Sequence, residues 1–125
     1  MTRALLDTHA LLWWLAEPER LSKNQFALIS APNSQIFVSA ASIWEIRIKE
    51  SLGKLEVPSD IVDLIEQDGF EFLSVSHNHA DLLKALPPIH KDPFDRILIS
   101  QAKVEQLVLV SADRVFKEYD VETIS

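Results

Sequence analysis

The hydrophobic residues of this chain fall into short runs separated by longer segments of mixed polarity. Three apolar or β-branched runs, at 4–6, 35–39 and 107–111, do not alternate between polar and apolar positions. Such continuous runs are typical of strands that are covered on both faces of a sheet. A fourth run at 70–75 and a weaker one at 121–124 complete the predicted strands.

Helical segments are predicted between these strands, and proline or glycine stands at several of their ends. They are 9–16, 21–30, 41–53, 58–69, 77–86 and 92–106, followed by a short helical turn at 113–119. The repeated order of strand and helix predicts an α/β fold with a central parallel sheet of four to five strands flanked by helices. We expect residues 1–125 to form a single domain.

Composition limits the class of protein further. With 47% hydrophobic and 25% charged residues in 125, the chain is typical of a globular domain with a real core. It contains no cysteine, which excludes disulfides and thiolate metal sites and suits a reducing compartment. Because the longest apolar run, 10–16, is far shorter than a membrane span, we expect a cytoplasmic protein with no membrane association.

The excess of acidic residues limits which binding partners are possible. The formal net charge is −7, whereas a protein that grips long nucleic acid by its phosphates is usually basic. The chain must therefore avoid nucleic acid, bind a basic protein, or offset its own carboxylates locally, for example with bound cations. Charge alone does not decide among these.

The stretch HKDPFDRILISQAK opens an apolar helix with two carboxylates. Asp92, directly before Pro93, is well placed to cap the helix. Asp95 is different because the positions on its own helical face are apolar: Leu98, Ile99 and Ala102. We therefore expect Asp95 to point toward the core side of the helix, where a carboxylate needs a partner.

Three further acids share this kind of placement. Asp7 directly follows the strand 4–6, Asp113 follows 107–111 after one residue, and Glu45 heads an apolar row of its helix. In open α/β sheets, ligands bind beyond the carboxyl ends of the strands. Four ionised carboxylates that converged there would repel one another unless cations were bound. Oxygen ligands alone favour Mg²⁺ or Mn²⁺ over Zn²⁺.

Each acid alone also has a purely structural interpretation. Asp7 and Asp113 could cap the helical segments that follow them, Asp95 could stabilise a helix dipole, and Glu45 could pair with Arg47. Capping explains one or two such placements more easily than it explains four. The joint pattern favours a site.

The acids lie in four stretches, in the order LLDTHALLWWL, SAASIWEI, HKDPFDRILISQA and LVSADRVF. Together these resemble the PIN-domain family, particularly the VapC-type toxins of toxin–antitoxin pairs, across nearly the whole chain. The resemblance implies that the family's acidic quartet, both catalytic and metal-binding, is Asp7, Glu45, Asp95 and Asp113. It also implies supporting roles for the hydroxyl residues Thr8 and Ser39.

The resemblance implies a metal-dependent endoribonuclease that uses Mg²⁺ or Mn²⁺ to hydrolyse single-stranded or loop RNA. An antitoxin protein and a second copy of the chain are the implied protein partners. Three arginines are candidates for RNA phosphate contacts, with a solvated surface charge as the alternative for each: Arg96, which we expect to point outward, Arg47 and Arg114. Trp13 or Trp14 is a candidate partner anchor, one of them buried and the other partly exposed.

Other readings remain open. A receiver-like Mg²⁺-binding signalling domain would need paired acids near the first strand, where this chain has only Asp7. A PIN fold that only binds protein or RNA is the other alternative. Trp44 is expected in the core, and His77 and His79 are expected to be solvated. His9 and His90 could approach the acids, but a general-base role has no support from the sequence.

Overall fold

Five parallel strands form the centre of the protein in a computed structural model that describes residues 1–125. They are β1 (Arg3–Leu6), β2 (Gln35–Ser39), β3 (Glu71–Leu73), β4 (Val108–Val110) and β5 (Thr123–Ile124), in the spatial order β3-β2-β1-β4-β5. All four strand pairings are parallel. The predicted α/β class and the predicted sheet are confirmed.

Six α-helices connect the strands and cover the sheet. They are α1 (Thr8–Ala16), α2 (Lys23–Ser30), α3 (Ala40–Ser51), α4 (Ile61–Gln67), α5 (His77–Leu82) and α6 (Pro93–Glu105), with 3₁₀ turns at Pro18–Arg20, Leu83–Ala85 and Arg114–Glu118. Helices α4 and α5 are each at least four residues shorter than predicted. The segment predicted at 77–86 tightens into a 3₁₀ turn before Pro87 and Pro88, which disfavour a helical residue ahead of them. None of the helices combines the length and the apolar character that crossing a bilayer requires.

The core lies on both faces of the sheet because successive strand residues point to opposite sides. Leu6 packs with residues of α1, α2 and α4 on one face. Leu5, its neighbour, packs with residues of α6 and the 114–118 turn on the other. Both leucines are fully buried, as expected for the central strand.

The order in which strands are added to the sheet reverses at β1. The strands β2 and β3 extend the sheet on one side of β1, whereas β4 and β5 extend it on the other. In parallel sheets, such a reversal opens a crevice beyond the carboxyl ends of the two central strands. The residues that follow β1 and β4 therefore border the same crevice.

Two expectations about side chains were wrong. Trp44 is 64% exposed, because α3 buries Ala41, Ser42, Glu45 and Ile46 and leaves position 44 off that face. His79 is buried rather than solvated, while His77 is exposed. The His79 ring accepts a hydrogen bond at Nδ1 from the Ser76 backbone N–H, and its Nε2 lies 2.7 Å from a carboxylate oxygen of Glu105, which ties α5 to α6.

Candidate active site

Asp7 occupies the bottom of the crevice, directly after β1. Its backbone N–H donates to the carbonyl of Val110 at 3.0 Å, and its Oδ1 accepts from the N–H of Ala10 at 2.7 Å. Asp7 is therefore the N-cap of α1 and is also 4% exposed. Burial raises the pKa of Asp7, against the opposing effect of a hydrogen bond from Ser111; the nearby charge of Asp113 raises it further.

Glu45 enters the crevice from α3 and is 4% exposed. Its Oε1 accepts from the Thr8 hydroxyl at 2.7 Å, which itself lies 3.1 Å from the hydroxyl of Ser42. Its Oε2 lies 2.7 Å from Nζ of Lys49, one helical turn further along. The partner of Glu45 is thus Lys49 and not Arg47. Thr8 thus contacts one of the acids through its hydroxyl; the supporting role that the resemblance implied for it stays a prediction.

The sequence suggested that Asp92 caps α6 and that Asp95 points toward a site. Asp92 caps α6 by accepting from the N–H groups of Phe94 and Asp95. The pKa of Asp95 is raised to about 7, mainly by burial and then by the charge of Asp92; His90 opposes this, and Glu45 and Asp7 add to it. Asp95 therefore lies within electrostatic reach of the acids from α3 and β1.

His90 links the last two acids of the quartet. Its Nε2 lies 2.9 Å from Oδ2 of Asp95 and 3.2 Å from Oδ2 of Asp113. Its Nδ1 accepts a hydrogen bond from the backbone N–H of Asp92 at 3.2 Å. Since Nδ1 is an acceptor, the neutral ring carries its proton on Nε2, facing the two carboxylates.

The position of His90 is fixed from behind by the segment after β4. Its ring lies against Phe116, with 5.6 Å between the ring centroids, and its backbone N–H donates to the Tyr119 hydroxyl at 2.7 Å. Asp113 is held in turn by capping the 114–118 turn, where it accepts from the N–H of Val115 at 3.0 Å. Both the ring and the carboxylate are therefore oriented by structure outside the crevice.

The donor atoms suit a divalent cation. One atom each from His90, Asp95 and Asp113 lie within 4.8 Å of one another. Burial is the main cause of the raised pKa values of Asp7 and Asp95, and the charges of neighbouring acids add to it. Carboxylate oxygens are ligands for Mg²⁺ or Mn²⁺, whereas Nε2 of His90 carries the proton of the neutral ring and would have to release it to join them.

Other predicted site residues lie elsewhere. Ser39 is buried and caps α3 by accepting from the N–H of Ala41 at 3.0 Å, with no hydrogen bond to the acids. Arg47 pairs with Glu50 at 2.9 Å. Arg114 is exposed and makes no ion pair or side-chain hydrogen bond.

Arg96 does not point outward as expected. Its guanidinium donates to the carbonyls of Pro87 at 2.9 Å and Leu83 at 3.3 Å, and is half-buried. It therefore holds the segment that carries His90 against α6. A phosphate contact by any of the three arginines stays a prediction.

An apolar groove lies beside the acids. Trp44 packs edge-on against Phe94, with 5.1 Å between the ring centroids. The groove has a volume of about 500 Å³ and is lined by Ala40, Ala41, Trp44, Val75, Leu83, Pro93, Phe94 and Ile97. Trp44 precedes Glu45 on α3 and Phe94 precedes Asp95 on α6, so the groove is formed by the same two helices that carry these acids.

Trp13 and Trp14 lie on the other side of the sheet, and both are half-buried, which corrects the expectation that one would be core. Trp14 packs against Phe26 and Phe70. Trp13 stacks on His9. The guanidinium of Arg20 lies over the Trp13 ring, 4.8 Å from the ring centroid. Trp13 also lines a cleft of about 280 Å³ between α1 and α4.

Sequence alone does not single out Lys49. Its signal is the spacing of four residues from Glu45, which brings two helical side chains together. His90, which the sequence allowed to approach the acids, does so from a loop without periodicity.

Fold and site together define an α/β domain with an acidic crevice at the carboxyl edge of its parallel sheet. The model of the PIN domain family matches residues 4–122, and the chain belongs to this family. The resemblance to PIN domains that the sequence motifs indicated is thereby confirmed.

Relatives of known structure or activity cover almost the full chain. Ribonuclease VapC22 of Mycobacterium tuberculosis is 27% identical over 122 residues, which are 95% of this chain and 93% of that protein. The fold is similar to VapBC2 from Rickettsia felis bound to a promoter DNA fragment (TM-score 0.75, 15% identity, 98% of each chain). It is also similar to a toxin–antitoxin complex from Klebsiella pneumoniae (TM-score 0.67, 18% identity, 98% of this chain and 96% of that one).

Proposed function

We propose that this chain is a metal-dependent endoribonuclease that hydrolyses phosphodiester bonds in single-stranded or loop RNA. The observation that carries the proposal is the gathering of Asp7, Glu45, Asp95 and Asp113 around one crevice, with a pKa of Asp95 raised to about 7. Membership of the PIN domain family and the similarity to a protein named a ribonuclease support the same reaction.

The residues have distinct parts in this proposal. Asp95, Asp113 and Asp7 would hold Mg²⁺ or Mn²⁺, and Glu45 would complete the acidic wall. When bound, the ion would supply a water of lowered pKa and would offset the charge of the phosphodiester. Water adds its hydroxyl to phosphorus as the bond to the 3′ oxygen breaks, and the leaving oxygen takes up a proton. The products carry 5′-phosphate and 3′-hydroxyl ends.

The groove beside the acids supports an unpaired substrate. Bases of single-stranded RNA stack on exposed aromatic side chains, whereas bases within a duplex are not free to do so. Trp44 is the exposed aromatic residue next to Glu45, and the pocket that it forms with Phe94 is almost wholly apolar.

We further propose that the chain acts as the toxin of a toxin–antitoxin pair in the cytoplasm, as a homodimer. The support is the similarity to Ribonuclease VapC22 and to a toxin–antitoxin complex. The cleft between α1 and α4, with Trp13 on its wall, offers the antitoxin an aromatic anchor of the kind that is common at protein interfaces.

The test is cleavage of a labelled, structured RNA mixture by the wild-type chain and by Asp95→Asn and Asp113→Asn. Asp63→Asn, an exposed acid on α4, is the matched control. We expect cuts that require Mn²⁺ or Mg²⁺, that disappear with EDTA and in both site variants, and that persist in the control. Equal cutting by the site variants would overturn the assignment of the quartet. Metal binding without cutting of any RNA would favour a PIN-fold binding module.

A further inference from the structure

Glu45 differs from the other acids of the crevice in that both of its oxygens are already engaged by the protein. Oε1 accepts from Thr8 and Oε2 pairs with Lys49, each at 2.7 Å. The Glu45 side chain is 5% exposed, and that of Lys49 is 40% exposed. Lys49 therefore reaches from the mouth of the crevice down to a buried carboxylate.

The opposite end of the crevice has no such cation. Asp7, Asp95 and Asp113 form no ion pair with any lysine or arginine, and the latter two face only the imidazole of His90. The three candidate ligand atoms that cluster within 4.8 Å lie at this end and do not include Glu45. A lysine is thus paired with Glu45 and with none of the other three acids.

The ammonium of Lys49 is held in its charged form. Its pKa is raised chiefly by the hydrogen bond to Glu45, and the charges of Glu45, Asp92 and Asp95 also raise it. Paired metal ions in nucleases lie about 3.5–4 Å apart. A second ion held by Glu45 would have to displace the Lys49 ammonium, which lies 2.7 Å from Oε2 of that carboxylate.

We propose that Lys49 is the built-in cation of this site, so that the crevice takes one divalent ion, at the Asp95–Asp113 end, and the Lys49 ammonium contacts a phosphate oxygen of the RNA at the Glu45 end. The inference rests on the proposed function and specifies its metal count. An ammonium can serve a phosphate as a point charge with several donors. This phosphate contact requires no rearrangement of Glu45.

The direct test is the number of Mn²⁺ ions bound per chain, measured by titration calorimetry on the wild type, Lys49→Met and Lys49→Arg. Lys54→Met, an exposed lysine just beyond α3, is the matched control. We expect one ion in the wild type, in Lys49→Arg and in the control, and two in Lys49→Met, where Glu45 is freed. Two ions in the wild type, or one in every protein, would overturn the proposal.

RNA cleavage gives a second, independent readout. We expect Lys49→Met to lose at least tenfold in kcat at low Mn²⁺ and to recover part of it at high Mn²⁺, as a second ion takes the place of the ammonium. A circular dichroism melt checks that the variant folds. Undiminished kcat in Lys49→Met would overturn the proposal. Metal-dependent cleavage by a wild type that binds two ions would refute this inference and leave the proposed function standing, whereas absence of metal-dependent cleavage would refute both.

Discussion

Nε2 of His90 lies 2.9 Å from Oδ2 of Asp95, and the ring can offer that carboxylate a proton because its other nitrogen accepts from a backbone N–H. The pair joins the loop before α6 to the first turn of α6. It gives the crevice a hydrogen-bond donor that neither charge nor periodicity in the sequence indicates.

Replacing His90 by alanine should weaken metal binding. His90 lowers the pKa of Asp95 and orients Asp95 and Asp113, so its loss leaves the carboxylates less ordered and more readily protonated. Partners of this kind typically change metal affinity by about 10–100-fold. Mn²⁺ titration calorimetry at pH 7 measures the change, with His77→Ala, an exposed histidine, as the control. An unchanged Kd in His90→Ala would show that the contact does not matter for the metal.

The metal-free protein should lose stability as the pH rises. Asp95 has a folded-state pKa of about 7 against an ordinary value of 3.8, so the folded state binds more protons than the unfolded state between these values. The contribution of Asp95 to the free energy of unfolding is therefore present below about pH 4 and is lost as the pH rises through about 7. Asp95→Asn should remove this slope and be the more stable protein at pH 8. Urea denaturation in EDTA at pH 5 and 8 measures the free energy of unfolding of the wild type and of the variant. Parallel pH profiles for the two proteins would contradict the prediction.

Divalent ions should reverse that loss in the wild type. A ligand that binds only the folded state raises the free energy of unfolding by about 2.7 kcal/mol at 100 times its Kd. We expect Mn²⁺ to raise the Tm of the wild type at pH 8 by several degrees and to leave Asp95→Asn nearly unchanged. Differential scanning fluorimetry provides the measurement, and Ca²⁺ serves as a comparison ion. Equal shifts in the two proteins would place the ion elsewhere.

Trp44→Ala should impair substrate binding more than chemistry. Stacking of a base on an aromatic side chain contributes about 1–3 kcal/mol, so we expect KM for single-stranded RNA to rise about fivefold or more with kcat little changed. Trp44→Phe should retain most of the affinity. Phe26→Ala, which removes an exposed aromatic residue on α2, is the control. A change in sedimentation with no change in KM would assign Trp44 to a contact between two copies of the chain instead.

The sequence predicted those parts of the fold that depend on local pattern. The strands at 4–6, 35–39 and 107–111 are close to the observed β1, β2 and β4, since fully covered strands form continuous apolar runs. Trp44 shows the limit of such patterns. A large aromatic residue was expected in the core, and only the packing of α3 reveals that it faces outward.

The site was partly predictable for the same reason. The positions of Asp7 and Asp113 follow from strand ends, and that of Asp95 from a helical face. The contacts of Arg96 and His90 depend on the loop at 87–92 and on Tyr119, which is distant in sequence. Such contacts leave no local signal.

The central strand, which Asp7 directly follows, takes β4 as one of its two neighbours, and Asp113 comes after β4. A polypeptide still being synthesised therefore possesses Asp7 and Glu45 long before Asp113, and it lacks the strand that closes the sheet beside Asp7. The crevice is completed only after β4 and Asp113 have been synthesised. A chain that stops before β4 should therefore lack the proposed nuclease activity, whatever the state of Asp7 and Glu45.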